Sequence, residues 1–281
     1  MNPELHKAIV DVHAAAENLG IKAVLVGALM MEFTTEVGAD YPPPKRTNDA
    51  DFAVFVADWA AFERLRASLE AKEYARSPKV EHRLTNEDKT VLIDLIPAGD
   101  AIAKGGEIVW PESEHVMTVV GFPEVCAAAT TKVKAGLPEV PVITVPGFVL
   151  LKIIAFQERF ENQDLKYIND VEHLAYWLEH YASIADKDDR RFEFLERKGW
   201  RDLDINLAGA AMLGDEVKRL ALPEAAKRIR KFLEDSAVSE SPFIETLVRL
   251  KRSMADEEAR DRVREEGVEW LKAFQRGFEA T

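Results

Sequence analysis

The spacing of the apolar residues changes near Pro146, and this change limits the folds open to the 281-residue chain. Before Pro146, short β-branched runs alternate with helical spacing, whereas after it almost every segment has helical spacing. Strand-like runs lie at 21–28, 51–56, 89–97 and 140–146, and a helical pattern covers 58–72. The sequence therefore predicts a mixed α+β fold: a small mixed β-sheet with flanking helices in residues 1–146, followed by an α-helical domain in residues 147–281.

Composition narrows the class of protein. A hydrophobic content of 47% is ordinary for a globular chain. No apolar run approaches the ~20 residues of a membrane span, and the N-terminal MNPELHKAIVDVHAAAENLG has the pattern of an amphipathic helix rather than of a signal peptide. We therefore expect a cytoplasmic protein with no membrane partner. The single cysteine, Cys126, excludes an intramolecular disulfide and suits a reducing compartment.

Charge and motifs exclude further classes. The net charge of −13 argues against a protein that coats nucleic acid, although a local basic patch stays open. The six histidines have no zinc-ligand spacing, and the chain contains no G-x-S-x-G elbow, Walker lysine loop or G-x-G-x-x-G fingerprint.

Two aspartates in KRTNDADFAVFV (45–56) are the first candidate site residues. Asp49 and Asp51 would share one face of a strand and repel each other unless a cation lies between them. Mg²⁺ prefers carboxylate oxygens, and Asp94, inside the apolar run TVLIDLIP, is a candidate third ligand. The alternatives are a turn-capping Asp49 with an exposed Asp51, and an edge strand on which Asp94 faces solvent.

The segment AVLVGALMMEF (23–33) has the pattern of a strand, a glycine and a helix. In such a turn, backbone N–H groups and the helix N-terminus can receive a phosphate, and Gly27 would permit the close approach.

The order of these elements resembles the polymerase-β-like nucleotidyltransferase superfamily. The resemblance implies that the sheet is a nucleotidyltransferase core in which the turn at Gly27 and Ala28 holds a nucleoside triphosphate. It also implies that Asp49, Asp51 and Asp94 bind two Mg²⁺ ions, for which Mn²⁺ can substitute. The frequent family pattern Arg-x-Thr-x-Asp-x-Asp is matched by Lys45, Thr47 and the two aspartates, with Arg46 displaced by one position.

A second pattern, LLKIIAFQERFENQDLKYINDVEHLAYWL (150–178), is similar to AbiEii-type nucleotidyltransferases. The matching residues are Lys152, Arg159, Lys166 and Asp170. Lys152 and Arg159 are seven apart, so they share a helix face, while Lys166 and Asp170 are four apart on the next helix. Cations on one face can meet triphosphate oxygens; the alternative is a solvated surface with an ordinary ion pair.

The resemblance predicts a Mg²⁺-dependent transferase that moves a nucleoside monophosphate from NTP to a hydroxyl. The acceptor stays open: tRNA, as for a toxin with a cognate antitoxin, a protein side chain, or a small molecule such as an aminoglycoside. The acidic composition favours the last two. The alternative is a degenerate member that binds nucleotide or a partner without turnover. Ala28 replaces a frequent glycine or serine, and Tyr167 replaces a frequent aspartate.

Overall fold

The fold consists of a β-sheet unit and a helical unit, with the division between Thr144 and Val145. The computed structural model describes residues 2–34, 44, 47–99, 101–134, 136–184, 188–251 and 256–280. Lys45 and Arg46 lie outside the described residues. The predicted mixed α+β class is confirmed.

The strands all belong to the first unit. They are β1 (Lys22–Val26), β2 (Asp49–Phe55), β3 (Ala75–Arg76), β4 (Arg83–Thr85), β5 (Leu92–Pro97), β6 (Glu107–Val109), β7 (Val116–Thr118), β8 (Thr130–Lys132) and β9 (Val140–Val142). Strands β6 and β7 form a separate pair, and the others form one sheet in the order β3-β4-β5-β2-β1-β9-β8. At its centre β2 runs parallel to β5 and antiparallel to β1, so the sheet is mixed as predicted.

Helices cover the sheet. They are α1 (Pro3–Asn18), α2 (Met31–Thr34), α3 (Trp59–Glu70) and α4 (Phe122–Ala127). Helix α1 packs against β1, β2 and α3. Helix α3 begins where the Asp58 carboxylate accepts a hydrogen bond from the N–H of Ala61 at 2.7 Å, which satisfies one of the unpaired donors of the first turn. The inward side of β2 carries Phe52 and Val54, both fully buried, and leaves the aspartates on its other side.

The turn after β1 differs from the prediction. Gly27 leads into a 3₁₀ turn (Ala28–Met30), and α2 follows with four residues. Its φ of +71° is a conformation open to glycine and costly for other residues, and it redirects the chain before a helix can start. The helix that the pattern predicted after Gly27 is therefore a 3₁₀ turn capped by Gly27 and a four-residue α2, not one regular α-helix.

The second unit is helical. Its helices are α5 (Val145–Glu161), α6 (Tyr167–Ile184), α7 (Asp188–Lys198), α8 (Ala208–Leu220), α9 (Pro223–Ser236), α10 (Pro242–Leu250) and α11 (Glu257–Glu279). Helices α8 and α11 pack closely at Gly214 and Gly277, where a Cβ on either residue would overlap the backbone of the facing helix. Pro146 is the second residue of α5, where a missing N–H costs little. Among the described helices, none combines the length and apolar content needed to cross a bilayer.

Candidate active site

Three aspartates lie on one face of the sheet. Asp51 and Asp94 are directly paired in register between β2 and β5, and Asp49 precedes Asp51 by two residues, which returns it to the same face. The edge-strand alternative for Asp94 is wrong, because β5 lies inside the sheet and Asp94 is only 7% exposed. Asp49 is the first residue of β2, and Asp51 is half-buried rather than exposed. The hydroxyl of Thr47 supplies the local cap, accepting from the Asp49 N–H at 3.0 Å.

Gly27 lies directly against this face. It follows Val26, which pairs in register with Asp51. A Cβ at position 27 would overlap the Asp51 carboxylate, so only glycine allows the backbone and this carboxylate to coexist. Two separate constraints, the positive φ and the contact with Asp51, therefore select glycine here. Ala28 begins the 3₁₀ turn that leads away from this contact.

Arg83 is a residue of this face that the sequence analysis did not find. Its Nε and Nη2 donate to Oδ1 and Oδ2 of Asp94, each at 2.7 Å, across the register pair of β4 and β5. The hydrogen bonds to Asp94 are the main cause that raises the pKa of Arg83, and the charges of Asp49 and Asp51 raise it further. We call these four residues the acid cluster; its three carboxylates and one guanidinium leave a net charge of −2.

The donor chemistry of the acid cluster fits a divalent cation. Three carboxylates on one sheet face, next to a glycine whose missing side chain makes room for the Asp51 carboxylate, are the oxygen ligands that Mg²⁺ prefers. Within the described ranges, no three His, Cys, Asp or Glu side chains stand grouped as a metal site. Both oxygens of Asp94 are bonded to Arg83 instead, so Asp94 can act as a ligand only when Arg83 releases it.

A second cluster of predicted residues lies in the helical unit. Asp170, on α6, is fully buried and accepts from Lys152 Nζ and Arg159 Nη1, both on α5 and both at 2.7 Å. The side chains of Lys152 and Arg159 keep 14% and 34% of their exposure. We call these three residues the basic cluster; two cations around one carboxylate leave a net charge of +1.

His173 lies one helical turn after Asp170 and is buried. Burial lowers the pKa of His173 to about 3, with the charges of Lys152 and Arg159 acting in the same direction. The imidazole is therefore neutral at physiological pH, and its ring packs edge to face against Phe148 at 5.7 Å.

Lys166 does not join the basic cluster through its helix. It is exposed and precedes α6, which begins at Tyr167. Its backbone N–H donates to the Asp164 carboxylate at 3.0 Å. Asp170 pairs with α5 across the helix interface and is fully buried, which contradicts a solvated surface ion pair. Tyr167 packs against Phe160, with ring centroids 5.4 Å apart, so it contributes apolar contact.

Comparisons with known proteins give structural similarities at low identity. No protein-family model and no curated protein sequence matches the chain. The solution structure of the antibiotic-resistance factor ANT(2'')-Ia is 16% identical with a TM-score of 0.42, covering 71% of this chain and 98% of its own. The crystal structure of ANT(2'')-Ia with adenylyl-2''-tobramycin is 15% identical with a TM-score of 0.40, over 62% of this chain and 88% of its own.

An antigenic nucleotidyltransferase-like protein from Paracoccidioides brasiliensis is also similar in structure. It is 15% identical with a TM-score of 0.40, over 63% of this chain and 76% of its own.

Proposed function

We propose that the chain is a metal-dependent nucleotidyltransferase that moves a nucleoside monophosphate from an NTP to a hydroxyl acceptor. The observation that carries this proposal is the register pair of Asp51 and Asp94 beside Gly27, with Asp49 on the same sheet face. Three carboxylates next to a backbone without a side chain suit a site that holds cations and phosphate together.

Asp49, Asp51 and Asp94 are the proposed metal ligands. Two bound Mg²⁺ ions, or Mn²⁺ in their place, would supply charge neutralisation at the triphosphate and activation of the acceptor hydroxyl. The protein's part is to hold three carboxylates on one rigid sheet face, with Asp51 fixed against Gly27. Arg83 orients Asp94 through both carboxylate oxygens until the substrate and cations arrive.

The proposed reaction exchanges one phosphorus–oxygen bond for another. The acceptor hydroxyl oxygen bonds to the α-phosphorus, and the bond from that phosphorus to the oxygen bridging to the β-phosphorus breaks, so that pyrophosphate leaves. The hydroxyl proton goes to a carboxylate of the acid cluster. Asp94 takes this role in our proposal, and it must first release at least one oxygen from Arg83.

The basic cluster is the proposed phosphate contact of the helical unit. Lys152 and Arg159 are held by the buried Asp170 but keep part of their surface exposed. Charge-assisted hydrogen bonds from such groups to phosphate oxygens are among the strong ones. We propose that the turn after β1 contributes to nucleotide binding through Gly27 and Ala28, and the start of β2 through Thr47. Lys166 would contribute as an exposed cation.

Transfer of label tests the proposal. The protein is incubated with each α-labelled NTP, Mg²⁺ or Mn²⁺, and separate pools of tRNA, protein and small hydroxyl compounds, including aminoglycosides. The pool that takes up label identifies the acceptor. Asp51→Asn should reduce transfer by at least about 100-fold while nucleotide binding persists. Asp88→Asn removes an exposed acid of the same unit and is the matched control. Equal transfer by Asp51→Asn and wild type would refute the catalytic role of the acid cluster.

The second candidate is a degenerate member of the same fold that binds nucleotide or a partner without turnover. The ion pair of Arg83 with both oxygens of Asp94 favours it, because this contact competes with metal binding. Nucleotide binding with no label transfer to any pool would select this candidate. An NTP-using enzyme implies the cytoplasm as its compartment. If tRNA is the acceptor, a toxin role with a cognate antitoxin is the corresponding biological proposal.

A further inference from the structure

A cavity of about 250 Å³ opens in the helical unit between α5 and α9, near the start of α10. Helix α5 contributes Phe156, Gln157 and Phe160 to its wall, and α9 contributes Phe232. Among the described residues that line it, none belongs to the basic cluster. The cavity is therefore a separate candidate binding site, and its wall is mainly aromatic.

The aromatic rings of the wall support one another. Phe156 stacks on Phe160 with ring centroids 5.9 Å apart, and it meets Phe232 edge to face at 5.6 Å. Phe156 and Phe232 are buried, and both also contact the buried Phe243. Phe160 is 40% exposed, so one ring of the wall reaches the surface. A flat aromatic ligand can pack against such rings, either offset-stacked or edge to face.

Gln157 brings one unpaired polar atom to this wall. Its Nε2 donates to the backbone carbonyl of Arg228 at 3.1 Å, which fixes the orientation of the amide, because only the nitrogen end can donate. Its Oε1 is buried and has no hydrogen-bond partner within the described residues. Buried acceptors are normally paired, since an unpaired one has lost its hydration without compensation. The group that would complete this wall is therefore a hydrogen-bond donor.

The charged residues of the cavity favour a neutral ligand. Lys231 and Asp235 are bonded to each other at 2.8 Å along α9, and Glu161 is exposed at the end of α5. These three side chains sum to a charge of −1, and the unpaired oxygen of Gln157 also repels an anion. A cation inside the cavity would need a buried carboxylate beside it, whereas both acids are exposed.

We propose that this cavity binds a small neutral aromatic molecule that carries one hydrogen-bond donor, such as a phenol. The ring would pack against Phe156 and Phe232, and the hydroxyl would donate to Oε1 of Gln157. A cavity of ~150 Å³ is enough to hold a benzene ring, so the volume here leaves room for one substituted ring. The inference does not depend on the transfer reaction proposed above.

Two probes of similar size test the role of charge. Phenol and benzoate are titrated into the full-length protein at about pH 7, where phenol is neutral and benzoate is an anion, and binding is followed by calorimetry. We expect phenol to bind at millimolar concentrations and benzoate to bind at least about tenfold more weakly, because a carboxylate has no donor for Gln157 and is repelled by the acids. No phenol binding, or equal affinities for the two probes, would overturn the proposal.

A variant of Gln157 tests the hydrogen bond. Gln157→Met keeps the length of the side chain and removes the acceptor, so phenol affinity should fall at least about tenfold. Affinity for toluene, which has the shape of phenol but no donor, should change less than about twofold. Gln275→Met, on α11 and outside the cavity wall, should alter neither affinity. The same loss for phenol and toluene would show that the packing of α5 on α9 had been disturbed, and it would refute the hydrogen bond to Gln157.

A second pair of variants locates the ring. Phe160→Ala removes one ring of the wall and should weaken both phenol and toluene binding at least about threefold. Phe192→Ala, which removes an exposed ring of the same unit outside the wall, should leave both unchanged. Because Phe160 is partly exposed, its substitution leaves the buried rings in place. Unchanged phenol affinity in both Phe160→Ala and Gln157→Met would place the site elsewhere and refute the proposal.

Discussion

The acid cluster and the basic cluster each contain one residue of opposite charge, but the two counter-charges differ in burial. Asp170 is fully buried between Lys152 and Arg159, whereas Arg83 keeps 18% of its side chain exposed beside Asp94. A buried carboxylate cannot leave its partners without a large loss of solvation free energy. The guanidinium of Arg83 reaches the surface, so it can move into water when another cation takes its place beside Asp94.

The difference separates a fixed arrangement from an exchangeable one. Asp170 orders two cations whose outer surfaces stay available to an anion. Arg83 neutralises carboxylates at a position where a divalent cation would compete with it. The basic cluster therefore holds its two cations around a buried carboxylate, whereas our proposal has a divalent cation replace the counter-charge of the acid cluster.

Among the predictions, substitution of Asp170 should have the largest effect on the free energy of unfolding. A small effect would contradict the difference between the two clusters. Asp170→Asn leaves two cations around a neutral amide, so the free energy of unfolding should fall by about 3–5 kcal/mol. Denaturant unfolding measures the loss. Asp235→Asn, which removes an exposed partner of Lys231 in the same unit, should leave the free energy of unfolding nearly unchanged. Similar losses in the two variants would show that Asp170 is not a fixed counter-charge.

The next largest expected effect is a loss of NTP affinity when an exposed cation of the basic cluster is removed. Lys152→Ala should weaken NTP binding by about 1.5–3 kcal/mol, the usual range for a lost charge-assisted contact. Lys166→Ala removes the same charge from an exposed position before α6 and should weaken binding less. Calorimetry on folded variants measures both. A larger loss in Lys166→Ala would move the phosphate contact away from the basic cluster.

Local sequence patterns placed two of the three aspartates. The two-residue period of a strand put Asp49 and Asp51 on one face, whereas the apolar neighbours of Asp94 left both a buried position and an edge strand open until the pairing of β5 with β2 and β4 was known. Arg83 was beyond that reasoning, because its contact with Asp94 arises from the pairing of β4 with β5, which no local pattern specifies. The segment EHRLT (81–85) carries one weak signal, a charged residue that begins a short strand.

The turn at Gly27 and the basic cluster also have features that the sequence alone could not predict. Glycine at position 27 was predictable, but the 3₁₀ turn depends on its positive φ and on the contact with Asp51. The seven-residue spacing put Lys152 and Arg159 on one face of α5. Asp170 is buried against that face because α6 packs on α5. The four-residue spacing between Lys166 and Asp170 gave no information about this packing.

The exchangeable counter-charge can be tested without activity. Arg83→Gln should lower the free energy of unfolding of the metal-free protein by about 1–2 kcal/mol, because Asp94 loses its charge-assisted hydrogen bonds and Asp49 and Asp51 lose a nearby positive charge. Millimolar Mg²⁺ should recover this loss, since a ligand that binds the folded state stabilises it. Arg76→Gln, which breaks a pair with Glu70 on the surface of the same unit, should not respond to Mg²⁺. An Arg83→Gln loss that Mg²⁺ does not recover would contradict a cation site at the acid cluster.

His173 gives the smallest effect and tests whether the interior beside the basic cluster is dry and fixed. The folded protein keeps His173 neutral down to a pKa of about 3, because burial and the charges of Lys152 and Arg159 oppose protonation, whereas the unfolded chain takes up the proton near the ordinary value of 6.5. The lowered pKa therefore favours folding above pH 6.5, and this contribution is lost as the pH falls from 6.5 toward 3. At about pH 5.5 the loss should be about 1 kcal/mol.

His173→Phe keeps a ring of similar size beside Phe148 and removes the titration, so its unfolding free energy should fall less steeply than that of the wild type over this range. Denaturant unfolding at several pH values measures the two slopes, and the exposed His115→Phe is the control. Parallel slopes for wild type and His173→Phe would mean that the fold does not hold the imidazole neutral, and the interior beside the basic cluster would then not be dry.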